Sequence, residues 1–476
     1  MKPEKPTVSR RRFVRGLAGI ALGIGALPFL PKLSLAQTAD DYFELTAGMS
    51  EQKLYTEDAP ASQLWTYNGT APGPEIRVKK GERVKVRFTN NLEEPTSVHW
   101  HGIRISNDMD GVSGLTQEPV QPGDSFVYDF VVPDAGTFWY HAHNKSWNQV
   151  ARGLYGPLIV DDLEPVFDEA HDLTLIMDDW RLAADGTLDT SSLGAFMDWS
   201  HAGRLGNWLL TNGQSFPEFK VNAGEHYRLR LINTSNARVL EIDLNQIGAS
   251  VIAYDGQTLD EPIIISNSPF LLGPAQRVDL LFTPKTGETY ALQEISGGEP
   301  HPSFVGFEVQ GSKTADSLAP LPPANILPEP DLVGAPVFKL TMTGGAMAPL
   351  GDAVYKGQKL DRDLMRQTQQ VWAFNGVAGL ATDPYFSAER NQTVIIEIAN
   401  QTAFIHAMHV HGHHFRVIEQ SESGADEGKP WRDTVLIGPQ QTTQIAFVAD
   451  NPGKWLLHCH MLEHAAAGMN TWFEVI

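Results

Sequence analysis

The chain contains one sequence unit three times. Residues 64–102, 207–244 and 371–412 each open with a tryptophan and an Asn-Gly pair and continue into runs of alternating apolar and polar residues. A later segment recurs as well, since AGTFWYHAH at 135–143 matches PGKWLLHCH at 452–460. Alternating runs bounded by turn residues are typical of β-strands. Units that recur at intervals of well over 100 residues favour three β-sandwich domains over a solenoid.

This pattern predicts an all-β fold of three consecutive Greek-key β-sandwich domains, at residues 37–164, 165–316 and 337–476. A proline-rich linker, residues 317–336, precedes the third domain. The middle copy has VLEID at 239–243 where the first copy has VHWH. Because it keeps the strand pattern without the histidines, we interpret it as a spacer domain that holds no metal.

Residues 1–36 resemble a twin-arginine signal peptide. The segment SRRRFVRG at 9–16 precedes a mostly apolar run of 15 residues, and Ser34-Leu35-Ala36 offers a small-x-small cleavage site. This pattern predicts export to the periplasm by the twin-arginine machinery. A retained membrane anchor is the alternative, but the apolar run is short for a bilayer span. We therefore expect no stable membrane insertion.

The charge of the chain limits its partners. The formal net charge is −21, and residues 1–36 hold seven Lys or Arg and one Glu, so the remainder carries −27. An acidic surface repels phosphate groups. The composition therefore argues against nucleic acid and anionic lipid as partners.

Histidine pairs are the strongest chemical signal. Eight of the 16 histidines form four His-x-His pairs, two in the first repeat and two in the third: His99/His101, His141/His143, His409/His411 and His458/His460. Side chains at i and i+2 lie on the same face of a strand, about 6–7 Å apart. One such pair is weak evidence for a metal, but four pairs that the middle repeat lacks predict a shared site. Imidazole binds copper, zinc, iron and nickel.

The single cysteine narrows the choice of metal. Cys459 lies between His458 and His460, so its side chain points to the opposite face of that strand. A lone cysteine is a small buried hydrophobe, a reactive thiol or a metal ligand. With His406, His464 and Met469 it completes two His, one Cys and one weak axial Met, the ligand set of a blue-copper centre. Met469 by itself would be an ordinary core residue.

Together, the motifs HWHG, HAH, HxxHVHGH and HCHxxxHxxxxM resemble those of the multicopper oxidases, the family of laccases and bacterial copper-efflux oxidases. The resemblance implies three cupredoxin-like domains and four copper ions per chain. It implies a type 1 copper on His406, Cys459, His464 and Met469, and a type 2 copper on His99 and His409. It implies a type 3 pair, with His101, His141 and His460 on one ion and His143, His411 and His458 on the other. The implied reaction oxidises a reducing substrate at type 1 copper and reduces O2 to water at the other three.

Two acidic residues match further family positions. Asp110, in NDMDG, matches a carboxylate that supplies protons to bound oxygen, although Asp-Gly also favours tight turns. Asp433, in WRDTV, matches a residue that supports the ligands. Ala465 stands where some bacterial members have a second acidic residue. His413 and His414 are expected to pack or to support ligands, and His171, His201, His226 and His301 to be surface or loop residues.

The substrate is less constrained. A phenol or aromatic amine is favoured over cuprous ion, because Thr402 and Phe404 replace an Asp and a Met of the cuprous oxidases and methionines are sparse between Met342 and Met365. A metal-ion substrate in copper tolerance is the alternative. A rival of another class is a non-catalytic periplasmic protein of the same fold, such as those of cell division. The stretch at 179–208, with three tryptophans, fits core packing or a substrate wall.

Overall fold

A computed structural model describes residues 32–34, 42–265, 269–296, 303–315, 321–420 and 430–476, with backbone alone at 32–34 and at residue 303. The predicted signal peptide lies outside the described residues except for 32–34, as do residues 317–320 of the predicted linker. The rest of that linker, 321–336, forms neither helix nor strand. The protein is all-β, as predicted, and its domains are cupredoxin-like.

The first repeat folds into a five-stranded and a four-stranded sheet, ordered β1-β4-β9-β8-β6 and β3-β2-β5-β7. The strands are β1 (Lys32–Ser34), β2 (Phe43–Gln52), β3 (Ser62–Tyr67), β4 (Glu75–Lys79), β5 (Arg83–Asn90), β6 (Val98–His101), β7 (Ser125–Val131), β8 (Gly136–Ala142) and β9 (Tyr155–Asp161). Residues of both sheets, among them Leu45, Val86, Trp100 and Tyr140, share one buried apolar cluster. This unit is therefore a sandwich with its core between the sheets.

The second repeat has a six-stranded sheet, β11-β10-β13-β18-β15-β16, a three-stranded sheet, β12-β20-β19, and the pair β14-β17. Its strands are β10 (Asp172–Trp180), β11 (Trp208–Thr211), β12 (Glu218–Asn222), β13 (Tyr227–Asn233), β14 (Leu240–Ile242), β15 (Ser250–Tyr254), β16 (Gln257–Ile264), β17 (Phe270–Leu272), β18 (Arg277–Phe282), β19 (Thr289–Gln293) and β20 (Ser303–Gln310). Its core cluster likewise joins the six-stranded and three-stranded sheets.

The third repeat has a six-stranded sheet, β24-β21-β26-β31-β28-β29, a five-stranded sheet, β25-β33-β32-β27-β30, and the pair β22-β23. Its strands are β21 (Val337–Gly344), β22 (Val354–Tyr355), β23 (Gln358–Lys359), β24 (Trp372–Phe374), β25 (Ser387–Ala388), β26 (Gln392–Asn400), β27 (His406–Val410), β28 (Phe415–Gln420), β29 (Trp431–Arg432), β30 (Thr434–Ile437), β31 (Thr442–Ala449), β32 (Gly453–Cys459) and β33 (Asn470–Val475). Its core contains the buried Cys459 and Met469.

The three Asn-Gly turns have one geometry. Asn68, Asn212 and Asn375 have φ of 52°, 52° and 49°, a left-handed conformation that asparagine tolerates better than most residues. Each side-chain amide donates to a backbone carbonyl of the first long strand of its unit, at 2.8–2.9 Å. That first strand pairs in parallel with the second strand after the turn. The pairs are β2 with β5, β10 with β13 and β21 with β26.

Helices are short and lie in loops. They are α1 (Ser146–Gln149), α2 (Phe196–Ser200), α3 (Arg362–Thr368) and α4 (Leu462–Ala466), with 3-10 turns at Asn107–Met109, Val150–Arg152, Glu169–His171 and Leu244–Gln246. Within the described ranges, none of the helices has the length and apolar character that a membrane crossing needs. Most of the paired histidines and Cys459 stand on strands, which hold side chains more rigidly than loops.

Candidate metal centre

Four strands carry the histidine pairs to one place. In the first unit β6 pairs with β8, with His99 opposite His141, and in the third unit β27 pairs with β32, with His409 opposite His458. The two five-stranded sheets meet so that rings of the two units stack. The His101 and His409 ring centroids lie 3.8 Å apart, and those of His99 and His411 lie 4.0 Å apart. The convergence expected from the sequence is therefore present in the structure.

The ring nitrogens lie close enough to share metal ions. Nε2 of His411 lies 3.1 Å from Nε2 of His458, and Nε2 of His460 lies 3.4 Å from Nε2 of His141. Several sets have ligand atoms within 4.8 Å of one another: His99, His409 and His411; His99, His101 and His141; His143, His411 and His458; and His101, His409 and Asp433. All of these side chains are buried except His143, which is half-buried.

In three rings, the nitrogen that points away from the cluster (the outer nitrogen) has a protein hydrogen-bond partner. The nitrogen that points into the cluster (the inner nitrogen) has none among the described residues. Nδ1 of His99 donates to the Asp110 carbonyl at 2.7 Å, and Nδ1 of His409 donates to the Asp433 carbonyl at 2.9 Å. Nε2 of both rings is buried and has no hydrogen-bond partner among the described residues. In His101 the two nitrogens are exchanged: Nε2 approaches Asp433 at 3.3 Å, and Nδ1 has no partner in the described part of the chain. Buried nitrogens without partners are costly unless something binds them.

Three imidazoles of the cluster, those of His101, His411 and His458, have lowered pKa values that favour the neutral, metal-binding form. Burial lowers the pKa of His101, His411 and His458 well below the usual range, and neighbouring imidazoles lower it further. A neutral imidazole keeps one lone pair for a metal.

A second cluster lies on the other face of β32. Sγ of Cys459 is 3.6 Å from Nδ1 of His406 and 3.8 Å from Nδ1 of His464, and these two nitrogens are 3.1 Å apart. All three residues are buried. The structure thus separates Cys459 from its neighbours His458 and His460, as strand geometry requires.

Met469 lies beside this cluster. It is fully buried in the same apolar core as Cys459. Its carbonyl accepts from the Cys459 N–H at 3.0 Å, and its N–H donates to the His464 carbonyl at 2.9 Å. The short helix α4 and the following turn therefore return the chain to the thiol.

Comparison with known proteins agrees with this geometry. Multicopper oxidase family models match residues 49–165, 169–304 and 356–476. The chain is 31% identical to multicopper oxidase MmcO of Mycobacterium tuberculosis, over 99% of this chain and 98% of that protein. It is 29% identical to laccase-2 of Botryotinia fuckeliana, over 89% and 80% of the two chains. The solved structure of Lac15 from a marine microbial metagenome is 37% identical, with a TM-score of 0.72 over 91% and 99% of the two chains.

The chain belongs to the multicopper oxidases. It is accordingly a copper-dependent oxidoreductase with O2 as electron acceptor.

The chemistry of the donor set of this multicopper oxidase fits copper. Burial raises the pKa of the Cys459 thiol to about 12, so the free thiol is not a reactive nucleophile. A bound metal ion deprotonates a coordinating thiol outright. In the histidine cluster, the buried inner nitrogens of His99, His101 and His409 have no partner among the described residues and are suitable donors for copper as well.

Asp110 lies against the histidine cluster. Its carboxylate oxygens are 3.0 and 3.2 Å from Nδ1 of His411. Its carbonyl holds His99, so one residue contacts two rings. The next residue, Gly111, has φ of 82°, and a Cβ there would lie 1.8 Å from the Val98 carbonyl oxygen. Only glycine allows this turn to pack so closely on β6.

Arg277 of the second unit is a supporting residue that the sequence analysis did not find. Its guanidinium binds both oxygens of Asp433, at 2.8 and 2.6 Å, and is fully buried. Burial opposes ionisation of Asp433, but Arg277 and the rings of His101 and His409 lower its pKa well below the usual range. Among the described residues the second unit brings no histidine into the cluster, but it fixes the carboxylate that orients two of the rings. A lone arginine in a strand gives no sequence signal for this role.

In the cysteine cluster, His406 and His464 each have a hydrogen-bond partner on Nε2. Nε2 of His406 is 2.8 Å from the Thr402 hydroxyl, and Nε2 of His464 is 2.7 Å from the His201 carbonyl. The sequence predicts His201 only as a surface or loop residue without a role. His413 packs against Phe447, as expected, and Nε2 of His414 is 3.6 Å from the Asp433 carboxylate.

Proposed function

We propose that this multicopper oxidase holds four copper ions and couples four one-electron oxidations of a small reducing substrate to the reduction of one O2 to two waters. The type 1 ligands are His406, Cys459, His464 and Met469. The type 2 ligands are His99 and His409, and the type 3 ligands are His101, His141 and His460 on one side and His143, His411 and His458 on the other. When bound, copper supplies the one-electron steps and binds O2.

One observation carries the proposal: the two faces of β32 serve two clusters. Sγ of Cys459 faces two imidazole nitrogens within 3.8 Å, while His458 and His460 join the eight-imidazole cluster. The peptide segment from 458 to 460 is then a short covalent path between the substrate-side cluster and the O2-side cluster. A fold that kept the strands but served only a structural purpose has no reason to bury inner nitrogens that lack partners.

Asp110 is the proposed proton source for O2 reduction. It is buried, contacts His411 directly and lies beside His99. A carboxyl group in this position can pass protons toward the cluster without moving its rings. Asp433, held by Arg277, keeps His101 and His409 in orientation and takes no part in proton transfer.

A phenol or aromatic amine is the proposed reducing substrate. Thr402, which replaces the Asp of the cuprous oxidases, forms a hydrogen bond with His406. Met342 is fully buried in the core and is not available to bind a cuprous ion. Of the three methionines between 342 and 365, only Met347 is well exposed, at 69%. One exposed thioether does not make a cuprous-ion site, which requires several soft ligands. The similar proteins include both laccases and iron transport multicopper oxidases, so the preference for a phenol rests on the residues of this chain.

Export rests on the sequence alone. Residues 1–36 carry the twin-arginine pattern, so we propose that the folded, copper-binding chain acts in the periplasm.

Metal content and oxygen uptake test the proposal together. The purified, copper-loaded protein is expected to hold about four copper ions per chain, to be blue and to consume O2 when a phenol is added. A colourless protein with one copper ion or none, and no oxygen uptake, would favour the structural alternative. Oxygen uptake with cuprous ion but not with phenols would contradict the proposed substrate class alone.

A further inference from the structure

The substrate side of the cysteine cluster is covered by a segment of the second unit. His464 is fully buried, and its outer nitrogen is hydrogen-bonded to a backbone carbonyl, not open to solvent. The segment 199–201, at the end of α2, provides that carbonyl. No substrate can therefore touch the His464 ring through Nε2 without displacing this segment.

Three consecutive carbonyls fasten the segment to the third unit. The Trp199 carbonyl accepts from Nε1 of Trp372 at 2.7 Å, and the Ser200 carbonyl accepts from the Ala346 N–H at 2.8 Å. The His201 carbonyl then accepts from His464 at 2.7 Å. Further along, the Arg204 N–H donates to the buried Glu463 carboxylate at 3.2 Å. A segment held at these successive points is a fixed cover over Nε2 of His464.

The tautomer of the His201 side chain is set by its neighbour. The Ser200 hydroxyl lies 2.8 Å from the Phe196 carbonyl, which can only accept, so the single hydroxyl proton is used there. Nδ1 of His201 lies 3.0 Å from the same hydroxyl oxygen and must therefore donate to it. Nε2 of the neutral ring is then left with a lone pair. The His201 side chain is half-buried, so part of it is open to solvent.

Aromatic rings link the His201 ring to the cysteine cluster, and the same segment carries exposed apolar side chains. The Phe404 ring lies 5.9 Å from the His201 ring in an edge-on arrangement, and Trp372 follows at 5.8 Å from Phe404 and 4.6 Å from His464. In the same segment, Phe196 and Met197 are 48% and 62% exposed. An aromatic substrate has apolar surface to rest on here, and a hydrogen-bond acceptor for one polar group.

The geometry points to His201 as a catalytic residue that takes the proton of a phenolic substrate. The phenol O–H bond breaks, its proton goes to Nε2 of His201, and one electron leaves through the His201 carbonyl and the His464 ring toward O2, the terminal acceptor. The product is a neutral phenoxyl radical, so no charged radical has to form at the protein surface. This selects substrates with an acidic O–H on an aromatic ring. The inference rests on the type 1 site of the proposed function.

The test compares two reductants in His201 variants. One is a methoxyphenol, which must lose a proton on oxidation, and the other is a water-soluble ferrocene, which does not. Replacing His201 with Phe removes the lone pair, while the backbone carbonyl on His464 stays. We expect the ratio of kcat/KM for phenol to that for ferrocene to fall about 100-fold, the usual size of a general-base contribution. His226→Gln is the matched control, because His226 is a half-buried histidine of the same unit whose Nδ1 also meets a hydroxyl, that of Thr283 at 2.8 Å.

A second variant separates proton transfer from packing. His201→Gln keeps an acceptor oxygen but cannot take up the proton, so we expect kcat for the phenol to fall more than KM rises. An unchanged phenol-to-ferrocene ratio in both variants would overturn the role of His201. Should His201→Phe lose its blue absorption, the ratio in His201→Gln decides alone. Absence of blue absorption in the copper-loaded wild type would instead contradict the proposed type 1 site itself.

Discussion

Arg277 and Asp433 form a buried two-point ion pair between the second and third units, with Nη1–Oδ1 at 2.8 Å and Nη2–Oδ2 at 2.6 Å. Asp433 in turn meets His101 and His409, which belong to different units. One ion pair thus ties all three repeats together at the histidine cluster.

Removing the arginine is expected to destabilise the whole chain. In Arg277→Met, the Asp433 carboxylate would stay buried without its counter-charge, which costs about 3–5 kcal/mol. Chemical denaturation of the copper-free protein measures the change. Arg83→Met is the control, because Arg83 and Asp129 form an exposed pair and no measurable change is expected. A small effect of Arg277→Met, similar to that of the control, would show that Asp433 does not need this partner.

Asp110 is expected to affect turnover without affecting copper binding. Asp110→Asn keeps the shape and the backbone carbonyl that holds His99, but it cannot deliver a proton, so oxygen uptake should fall about 100-fold or more. Copper content and blue absorption should stay at the wild-type level. The matched control is Asp108→Asn, an exposed position on the same turn. Loss of copper from Asp110→Asn would instead indicate a structural role.

The Thr402 hydroxyl is expected to tune the cysteine cluster. In Thr402→Val, Nε2 of His406 loses its partner at 2.8 Å, and copper affinity at this site should fall about 10- to 100-fold. Titration with a copper chelator, followed by the blue absorption, measures this. Thr402→Ser keeps the hydroxyl and should restore affinity. A serine variant as weak as the valine variant would mean that the methyl group matters and the hydrogen bond does not.

Asp178 should make stability fall as pH rises. Burial, and after it the charge of Asp179, raise the pKa of Asp178 to about 8. An unfolded aspartate titrates near 3.9, so between about pH 4 and 8 the folded chain binds the extra proton. The free energy of unfolding then decreases with pH, by up to about 1.4 kcal/mol per pH unit. Asp178→Asn should flatten this dependence, while Asp260→Asn, at an exposed position, should not. An equally steep dependence in Asp178→Asn would contradict the assignment.

The fold and the clustering of the paired histidines followed from local patterns. Alternation predicted the strands, and the i, i+2 spacing of the four histidine pairs predicted that Cys459 and its neighbours face opposite ways. These features depend on residues a few positions apart. The turn at Asp110 shows both suggested properties at once, since it is a tight turn before Gly111 and also contacts the histidine cluster.

Asp433 was predicted as a supporting residue from the family resemblance, but the contacts of Arg277 and His201 could not be predicted, because they join residues far apart in the sequence. Arg277 and Asp433 are 156 positions apart, and His201 and His464 are 263 apart. The contact of His201 with His464 is made by its backbone carbonyl, which every residue type has. Nothing in the side chains of 179–208 distinguished a cover over His464 from ordinary core packing.

The optical spectrum of Cys459→Ser tests the central claim most directly. If one strand serves two copper sites, the copper-loaded variant should lose its blue absorption and about one of four copper ions, and it should not consume O2 with any reductant. The other histidine-bound ions should remain. A variant that stays blue, or that oxidises phenols at the wild-type rate, would contradict the assignment of Cys459 as the ligand through which electrons enter.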